Sequence, residues 1–305
     1  MPDARSGAPA ARVGVVGHSR YEQLHATLGR VRDFAERHGV ALFFDEELLG
    51  EQAGPEIRGA AAGLLGPEEC AELDLLLTLG GDGTLLRGAR QVARYGVPVL
   101  GVNFGHVGFL TSAPPDELEE SLERALSGDI WLDERMTLDV RAEAPDGTVR
   151  GEFLALNDAV LHKGGVARMI RLAVHADGEE VGTYSADGII LATPTGSTAY
   201  SLSAGGPIVS PSVDCIVATP ICPHTLAVRP LILPASETVS VEVLTPSGEL
   251  LLTIDGQEDA ALMPGDRVVV RRSPTPARLV RFTGQTFFST LRRKLRWGDL
   301  VERER

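Results

Sequence analysis

The sequence predicts an α/β domain, then an all-β domain and a basic C-terminal segment. Up to about residue 130, short apolar runs alternate with longer stretches of helical period, which is typical of a parallel sheet covered by helices. From residue 136 to 270, short β-branched runs are separated by turn signals such as Asp146-Gly147 and Asp177-Gly178, which indicates a sandwich or stacked sheets. We therefore expect domains at 1–130 and 131–277, and a segment at 278–305.

The elements of the first domain follow from hydrophobic period and from glycine and proline positions. We predict strands at Val13–Val16, Val40–Phe44, Leu73–Leu79 and Val97–Val102. We predict helices over 22–38, 84–95 and 116–127, and a loop with short helices over 45–66. Asp116 or Ser112 is the expected cap of the helix at 116–127, and Gly128 follows its end.

The elements of the second domain are short strands, and a final amphipathic helix is predicted over 286–297. The strands are expected at Thr137–Arg141, Gly151–Leu161, Met169–Ala176, Ile189–Thr193, Ile216–Thr219, Val239–Leu244, Leu250–Ile254 and Arg267–Arg271.

Charge is unevenly distributed along the chain. The net charge of −13 argues against general nucleic-acid binding, which needs a basic face. From Arg267 onward there are 11 Lys/Arg and 3 Asp/Glu, so this part carries +8 and the rest −21. The basic segment is expected to return to the first domain. There Lys294 and Arg296 either add positive charge to a site or lie on a solvated helix face.

Several classes of protein are excluded by composition. Lys163 and Lys294 are the only lysines, and neither lies in a Walker phosphate-binding string. Three scattered cysteines do not form a disulfide framework, and we assign no metal ligand. No apolar run is long enough for a signal peptide or a membrane span, so we expect a cytoplasmic protein without a membrane partner.

The first string that carries chemistry is a glycine turn after an apolar strand. It runs Thr78-Leu-Gly-Gly81-Asp82-Gly83-Thr84-Leu-Leu-Arg87. Glycines let the backbone approach a phosphate, and a carboxylate in such a turn can accept a proton or hold a metal. The alternative is an ordinary strand–helix turn in which Asp82 caps the helix.

Two further strings are rich in polar groups. Six Ser/Thr residues fall within 193–203, inside the string from Asp187 to Pro207. Such hydroxyls suit ribose or phosphate oxygens, or they serve a polar turn through backbone bonds. Asn157-Asp158, followed by Lys163 and Arg168, can bind a ribose diol or an adenine edge, although an Asn-Asp pair also suits a simple turn.

Taken in order, these strings and Cys222-Pro-His224…Arg229-Pro230 resemble the NAD kinases, from about Val13 to Trp297. The resemblance implies a Rossmann-like N-terminal domain and a β-sandwich C-terminal domain, with NAD in the cleft between them, often completed by a neighbouring subunit. The implied reaction transfers the γ-phosphoryl group of ATP to the adenosine 2′-hydroxyl of NAD.

The resemblance also implies roles for individual residues. Asp82 is the expected proton acceptor. Some relatives carry a basic residue where this chain has Ser185, so Ser185 is not a charge partner. The expected NAD- or ATP-binding positions are Gly81, Gly83, Thr84, Arg87, Asn157, Asp158, Arg168, Asp187, Thr198, Ala199, Tyr200, Ser201, Leu202, Ser203 and Gln257.

The expected cofactors and partners follow from this chemistry. A cleft in an acidic protein that binds a triphosphate needs a divalent metal, so we expect Mg²⁺ with ATP as the donor. Polyphosphate is an open alternative to ATP. The resemblance implies a homodimer or homotetramer.

Two other functions remain open at this stage. A lipid or sphingoid kinase explains the glycine turn but not the hydroxyl-rich string, and no basic amphipathic membrane face is evident. A nucleotide sensor without turnover would keep the binding strings but would not need Asp82.

Overall fold

The computed structural model describes residues 11–50, 54–105, 108–164, 169–225, 227–245 and 250–296. The described chain forms two compact units. The first unit contains residues up to 134 and those from 278 onward, and the second contains residues 135–277.

The first unit alternates strands and helices along the chain. Its elements are β1 (Arg12–Gly17), α1 (Leu24–His38), β2 (Ala41–Phe44), α2 (Glu46–Leu49), α3 (Pro55–Ala60), β3 (Ala61–Leu64), α4 (Pro67–Ala71), β4 (Leu75–Gly80), α5 (Asp82–Val92), β5 (Pro98–Asn103), α6 (Leu118–Ser127), β6 (Trp131–Arg135), β19 (Ala277–Arg281) and α8 (Phe287–Leu295).

One seven-stranded sheet organises this unit, in the order β3-β2-β1-β4-β5-β19-β6. The pairs from β3 through β19 are parallel. The order reverses between β1 and β4, so the gap beside their carboxyl ends is the place where ligands bind in open α/β sheets. Strand β4 is buried along its whole length, which explains why it reads as one apolar run.

The C-terminal segment completes the first unit. Strand β19 lies beside β5, in parallel register with Arg278 opposite Pro98 and Leu279 opposite Val99. Val280 and Phe282 enter the same buried cluster as β1, β4 and β5. The chain therefore leaves this sheet, forms the second unit and returns to add a strand between β5 and β6.

The second unit consists of antiparallel strands and one short helix. Its elements are β7 (Leu138–Glu143), β8 (Val149–Ala155), β9 (Asp158–Lys163), β10 (Ile170–Ala176), β11 (Glu179–Ala186), β12 (Gly188–Ala192), α7 (Tyr200–Ser203), β13 (Cys215–Ile221), β14 (Leu231–Pro234), β15 (Val239–Val243), β16 (Leu250–Ile254), β17 (Glu258–Leu262) and β18 (Arg267–Arg272).

These strands form two six-stranded sheets, β11-β10-β15-β18-β7-β8 and β14-β13-β12-β9-β16-β17. Side chains from both sheets share one buried cluster, including Leu138 and Val268 from the first sheet and Leu161 and Leu252 from the second. The unit is therefore a sandwich, in which alternate side chains of each strand face the other sheet.

The fold class predicted from the sequence is confirmed, but two local predictions are wrong. The run Gly151–Leu161 is two strands in different sheets, β8 and β9. Neither Asp116 nor Ser112 caps α6, because Glu117 occupies the cap position without a side-chain bond. The hydroxyl of Ser112 instead donates to the Val280 carbonyl of β19, so a distant strand takes the polar group that local sequence assigned to a helix end.

None of the helices in the described residues is both long enough and apolar enough to cross a bilayer.

Replacement of Leu77 by alanine should destabilise the first unit. Leu77 lies in the middle of β4 with no exposed surface, so its truncation loses transfer free energy and leaves a cavity, about 2–5 kcal/mol in total. Leu64→Ala is the matched control, because Leu64 lies in β3 of the same sheet and is 52% exposed. Urea unfolding measures both changes, and equal losses of stability would contradict the assignment of β4 as the buried centre.

Candidate functional site

A tight glycine turn lies at the carboxyl end of β4, where the strand order of the parallel sheet reverses. Gly81 is the N-cap of α5, and Asp82, Gly83 and Thr84 form the first turn of this helix. Helix N-termini favour negative charge because their first N–H groups and the helix dipole point outward. The turn predicted as the first functional string is therefore placed where an anionic ligand can bind.

The carboxylate of Asp82 is held by the backbone of a neighbouring loop. Its Oδ2 accepts a hydrogen bond from the N–H of Phe109 at 2.8 Å. Its Oδ1 accepts from the N–H groups of Leu110 at 3.1 Å and Thr111 at 3.4 Å. Lys294 of α8 places its ammonium 3.6 Å from Oδ2, and the carboxylate side chain remains 26% exposed. Asp82 is therefore fixed in orientation but still reachable from solvent.

Close approach of this loop to Asp82 depends on a glycine. A Cβ atom at position 108 would lie 2.1 Å from the Asp82 Oδ1 and 2.6 Å from the Thr111 hydroxyl. Such distances are far inside van der Waals contact, so any side chain at Gly108 would push the carboxylate away from the loop amides.

Arg87, a predicted ligand-binding residue, is engaged within the first unit. Its guanidinium is 2.9 Å from the carboxylate of buried Asp45, and it also bonds to Glu47 and to the carbonyl of Gly17. Burial raises the pKa of Asp45 to about 6, against the opposing effect of the Arg87 charge. These contacts join the ends of β1 and β2 to α5, and binding of a ligand by Arg87 remains a prediction.

In the second unit, a cavity of about 470 Å³ collects several of the predicted residues. Its lining is contributed by the ends of neighbouring strands and by the start of α7. It consists of Asn157, Asp158, Val160, His162, Lys163, Asp187, Ala199, Tyr200, Ile221, Thr253, Asp255 and Gly256. Five predicted positions therefore meet here: Asn157, Asp158, Asp187, Ala199 and Tyr200.

The acidic centre of this cavity is formed by Asp158 and Asp255. Burial, together with the negative charge of Asp255, raises the pKa of Asp158 to about 7. The carboxylate of Asp255 accepts from the N–H groups of Leu156, Asn157 and Asp158 at 2.7–3.1 Å. Asp255 adopts a left-handed backbone with φ of 50°, which is unusual for a residue other than glycine. The strained hairpin turn thus fixes the Asn157-Asp158 backbone.

An ion pair crosses the same cavity. Lys163, at the end of β9, donates to the Asp187 carboxylate at 2.8 Å. Both side chains are about one-third exposed, so the ammonium and the carboxylate are available to a ligand.

The hydroxyl-rich string is used largely for internal bonds. Thr193 donates to the Leu156 carbonyl at 2.6 Å and accepts from the N–H of Gly196 at 3.0 Å. Ser197 donates to the Pro194 carbonyl at 2.6 Å, and buried Ser201 bonds to Thr219 at 2.8 Å. Thr198 donates to the carbonyl of Thr195 at 3.1 Å. These bonds support the polar-turn alternative for most of the hydroxyls, although the turn they build presents Ala199 and Tyr200 to the cavity.

Gly196 explains how this string reaches Asn157. A Cβ atom there would lie 2.0 Å from the Asn157 carbonyl oxygen. Only glycine permits this backbone contact, so Gly196 joins two strings that are separated by almost forty residues of sequence.

Some predicted positions do not meet at the cavity. Thr198, Ser201, Leu202, Ser203 and Gln257 do not line it, and Ser201 is buried. Arg168 lies outside the described residues. Ligand contacts by these side chains therefore remain predictions.

Sequence reasoning missed Asp255 and undervalued the two lysines. Asp255 lies two residues before Gln257, the position that the resemblance predicts. The available signal was the rarity of lysine, because both lysines of the chain pair with predicted site aspartates, Lys163 with Asp187 and Lys294 with Asp82.

Comparison with protein families gives two matches that together span most of the chain. Residues 13–130 match the ATP-NAD kinase N-terminal domain, and residues 156–282 match the ATP-NAD kinase C-terminal domain.

Curated relatives match at high identity over nearly their full lengths. A NAD kinase of Gemmatimonas aurantiaca is 48% identical over 96% of this chain and 98% of its own length. A NAD kinase of Symbiobacterium thermophilum is 49% identical over 84% of this chain and 94% of its own length.

Solved structures show the same fold. Yeast NADH kinase complexed with NADH superposes with a TM-score of 0.85 at 26% identity, covering 97% of this chain and 90% of the yeast chain. An NAD kinase from Archaeoglobus fulgidus in complex with ATP superposes with a TM-score of 0.70 at 28% identity, covering 93% of this chain and 98% of that one. With its glycine turn, its sandwich and both domain matches, the chain belongs to the ATP-NAD kinase family.

Proposed function

We propose that this protein is a NAD kinase that transfers the γ-phosphoryl group of ATP to the adenosine 2′-hydroxyl of NAD. The observation that carries the proposal is Asp82, a carboxylate fixed by three backbone N–H groups at the N-terminus of a helix. Membership of the ATP-NAD kinase family supports the choice of substrates.

Asp82 is the proton acceptor in this proposal. A ribose hydroxyl is a weak nucleophile until its proton can leave, and a carboxylate within about 3 Å can orient and deprotonate it. The bond between the γ-phosphorus and the bridging oxygen of ADP breaks as the 2′-oxygen bonds to that phosphorus. The hydroxyl proton passes to the Asp82 carboxylate. The rest of the acceleration comes from positioning and charge stabilisation.

The cavity around Asp158 is the proposed subsite for the adenosine part of NAD. Asn157 offers an amide donor and acceptor, and the Asp158 carboxylate can accept from both hydroxyls of a ribose diol. Tyr200 is 46% exposed and presents an aromatic face to the same space. Yeast NADH kinase, a relative in fold, was solved complexed with NADH.

The proposed donor is ATP in its magnesium complex. The residues described include no cluster of three or more His, Cys, Asp or Glu side chains placed to hold a metal ion. We place the Mg²⁺ on the triphosphate, since this ion often keeps its waters and binds mainly to substrate phosphates. The ion neutralises phosphate charge, which a protein of net charge −13 needs before it can bind a second anion. The related Archaeoglobus fulgidus enzyme was solved in complex with ATP.

The proposal also includes an assembly, a donor range and a location. We propose a homodimer or homotetramer. Its support is the exposed apolar surface of the edge strand β14, where Leu231 and Ile232 are 39% and 51% exposed. Light scattering measures the mass in solution. A phosphoryl-transfer assay tests polyphosphate as an alternative donor. Cell fractionation tests the proposed cytoplasmic location.

A donor–acceptor matrix tests the function directly. ATP, other nucleoside triphosphates and polyphosphate are combined with NAD and NADH at several Mg²⁺ concentrations, and NADP formation is followed by a coupled dehydrogenase. We expect turnover with ATP and NAD that is lost on chelation of Mg²⁺. Tight NAD binding without any product would instead favour a nucleotide sensor, and phosphorylation of a sphingoid base would favour a lipid kinase.

Asp82→Asn should lower kcat by about 10²–10⁴-fold, because the hydroxyl proton loses its acceptor. NAD affinity measured by calorimetry should change little. Asp74→Asn is the matched control, since Asp74 directly precedes the same strand β4 at its opposite end and its carboxylate accepts from the N–H of Arg12 at 2.8 Å. Turnover by Asp82→Asn within several-fold of the control would remove Asp82 from the base role.

NAD affinity should rise with pH through about 7. The pKa of Asp158 is raised to about 7, so below this pH the group is largely protonated and loses the ionised form that accepts from both ribose hydroxyls. If NAD binds the ionised form, its Kd should fall by up to about tenfold between pH 6 and pH 8.

The variant Asp158→Asn tests whether Asp158 causes this effect, because it keeps His162 unchanged in the same cavity. Calorimetry at each pH should show a weaker Kd that no longer changes across this interval. An unaltered pH dependence in Asp158→Asn would assign the titration to another group.

A further inference from the structure

The returning strand β19 ends in a buried arginine. Arg281 is 7% exposed. Its guanidinium Nε lies 3.1 Å from the carboxylate of Asp133, whose side chain is 16% exposed. A buried guanidinium needs hydrogen-bond acceptors for its remaining N–H groups, so the positions of those acceptors define what Arg281 does.

Three further acceptors of Arg281 belong to the loop that holds Asp82. One terminal nitrogen of Arg281 donates to the carbonyls of Leu110 at 3.0 Å and Thr111 at 3.3 Å. The other donates to the carbonyl of Phe109 at 3.1 Å. The guanidinium thus binds three successive carbonyl groups of one loop.

The same peptide groups face Asp82 on their other side. The peptide between Phe109 and Leu110 gives its carbonyl to Arg281 and its N–H to Asp82. The next peptide gives the Leu110 carbonyl to Arg281 and the Thr111 N–H to Asp82. In a trans peptide the two groups point in opposite directions, so the loop lies between a guanidinium and a carboxylate.

This arrangement fixes both the direction and the strength of the N–H donors. A cation on the carbonyl side polarises each peptide and strengthens its N–H bond to the anion. The planar fork of arginine spans several acceptors at once, which the single ammonium of lysine cannot reproduce in the same geometry.

We propose that Arg281 is a positioning residue for phosphoryl transfer, which orients Asp82 through the peptide groups of residues 109–111. The inference rests on the proposed function, because it takes Asp82 as the group that accepts the hydroxyl proton. A misplacement of a reacting group by about 1 Å can cost on the order of 10²-fold in rate, so loosening of this loop reduces turnover without removing any substrate contact.

Arg278 provides a matched control on the same strand. It lies three residues before Arg281 and has similar partners, Glu134 at 3.2 Å and the Gly96 carbonyl at 3.1 Å. Neither partner belongs to the loop at 109–111. Arg278→Lys therefore changes the same residue type in β19 without touching the support of Asp82.

The experiment compares Arg281→Lys and Arg278→Lys with the wild-type chain in steady-state assays with NAD and MgATP. We expect kcat of Arg281→Lys to fall about 10- to 100-fold, with KM for both substrates within threefold of wild type. Arg278→Lys should keep both parameters. A kcat for Arg281→Lys within twofold of the control, or a fall in kcat accompanied by a tenfold rise in KM, would overturn the positioning role.

Folding is checked by the unfolding midpoint of each variant. If Arg281→Lys does not fold, Asp133→Asn replaces it, because loss of the Asp133 charge loosens the guanidinium but keeps a hydrogen-bond partner. The same split is then expected with a several-fold fall in kcat, and unchanged kcat overturns the proposal. Failure of folded wild type and of Arg278→Lys to phosphorylate NAD would instead refute the proposed function itself.

Discussion

The candidate site of the first unit depends on how the Asp82 carboxylate is held at the end of the parallel strand β4. Asp82 follows β4 directly, but its orientation is set by N–H groups from a loop that follows β5. This loop is itself tied to the sheet, because Ser112 donates its N–H to Gly101 and Asn103 donates to Ala113, both at 2.9 Å. The carboxylate therefore takes its position from two adjacent strands and not from its own turn alone.

The course of the chain follows from the same requirement. In a parallel sheet the carboxyl ends of neighbouring strands lie at one edge. Gly80 ends β4, Asn103 ends β5 and Arg281 ends β19, which runs parallel to β5. The return of the chain after the second unit places a guanidinium at the edge where Asp82 lies. An antiparallel β19 would have put that guanidinium at the opposite edge.

Sequence could predict the parts of both sites that depend on local chemistry. The glycine turn around Asp82 was predicted from three glycines and an aspartate after an apolar strand, a pattern that also suits an ordinary strand–helix turn. The cavity residues Asn157, Asp158 and Asp187 were predicted from a resemblance and are brought together by sandwich strands. Their spacing in sequence does not predict their distance in space. The two strings meet through a contact between the backbones of Gly196 and Asn157, which no sequence pattern indicates.

What could not be predicted depends on long-range contacts. Arg281 binds carbonyl groups about 170 positions earlier in the chain, and no local pattern distinguishes it from Arg278 on the same strand. For the same reason, sequence alone left two alternatives open for the hydroxyl-rich string. Ser and Thr satisfy backbone groups in a turn as readily as they bind a ligand, and only tertiary structure shows that Ser201 is buried against Thr219.

The contrast between an acidic body and a basic C-terminal part now has a structural explanation. Three cations of the returning segment pair with acids of the first unit: Arg278 with Glu134, Arg281 with Asp133 and Lys294 with Asp82. Part of the positive charge is therefore directed at specific carboxylates of the first unit.

The residue types differ in a way that matches their positions. Arg281 is buried and holds fixed carbonyl groups, a task that suits a rigid planar fork. Lys294 is 37% exposed, lies 4.6 Å above the Phe109 ring and sits 3.6 Å from the Asp82 carboxylate. The flexible ammonium of Lys294 therefore adds positive charge beside a carboxylate whose orientation is fixed through the loop that Arg281 binds. Separate residues of one segment thus supply rigid support beneath Asp82 and a positive charge beside it.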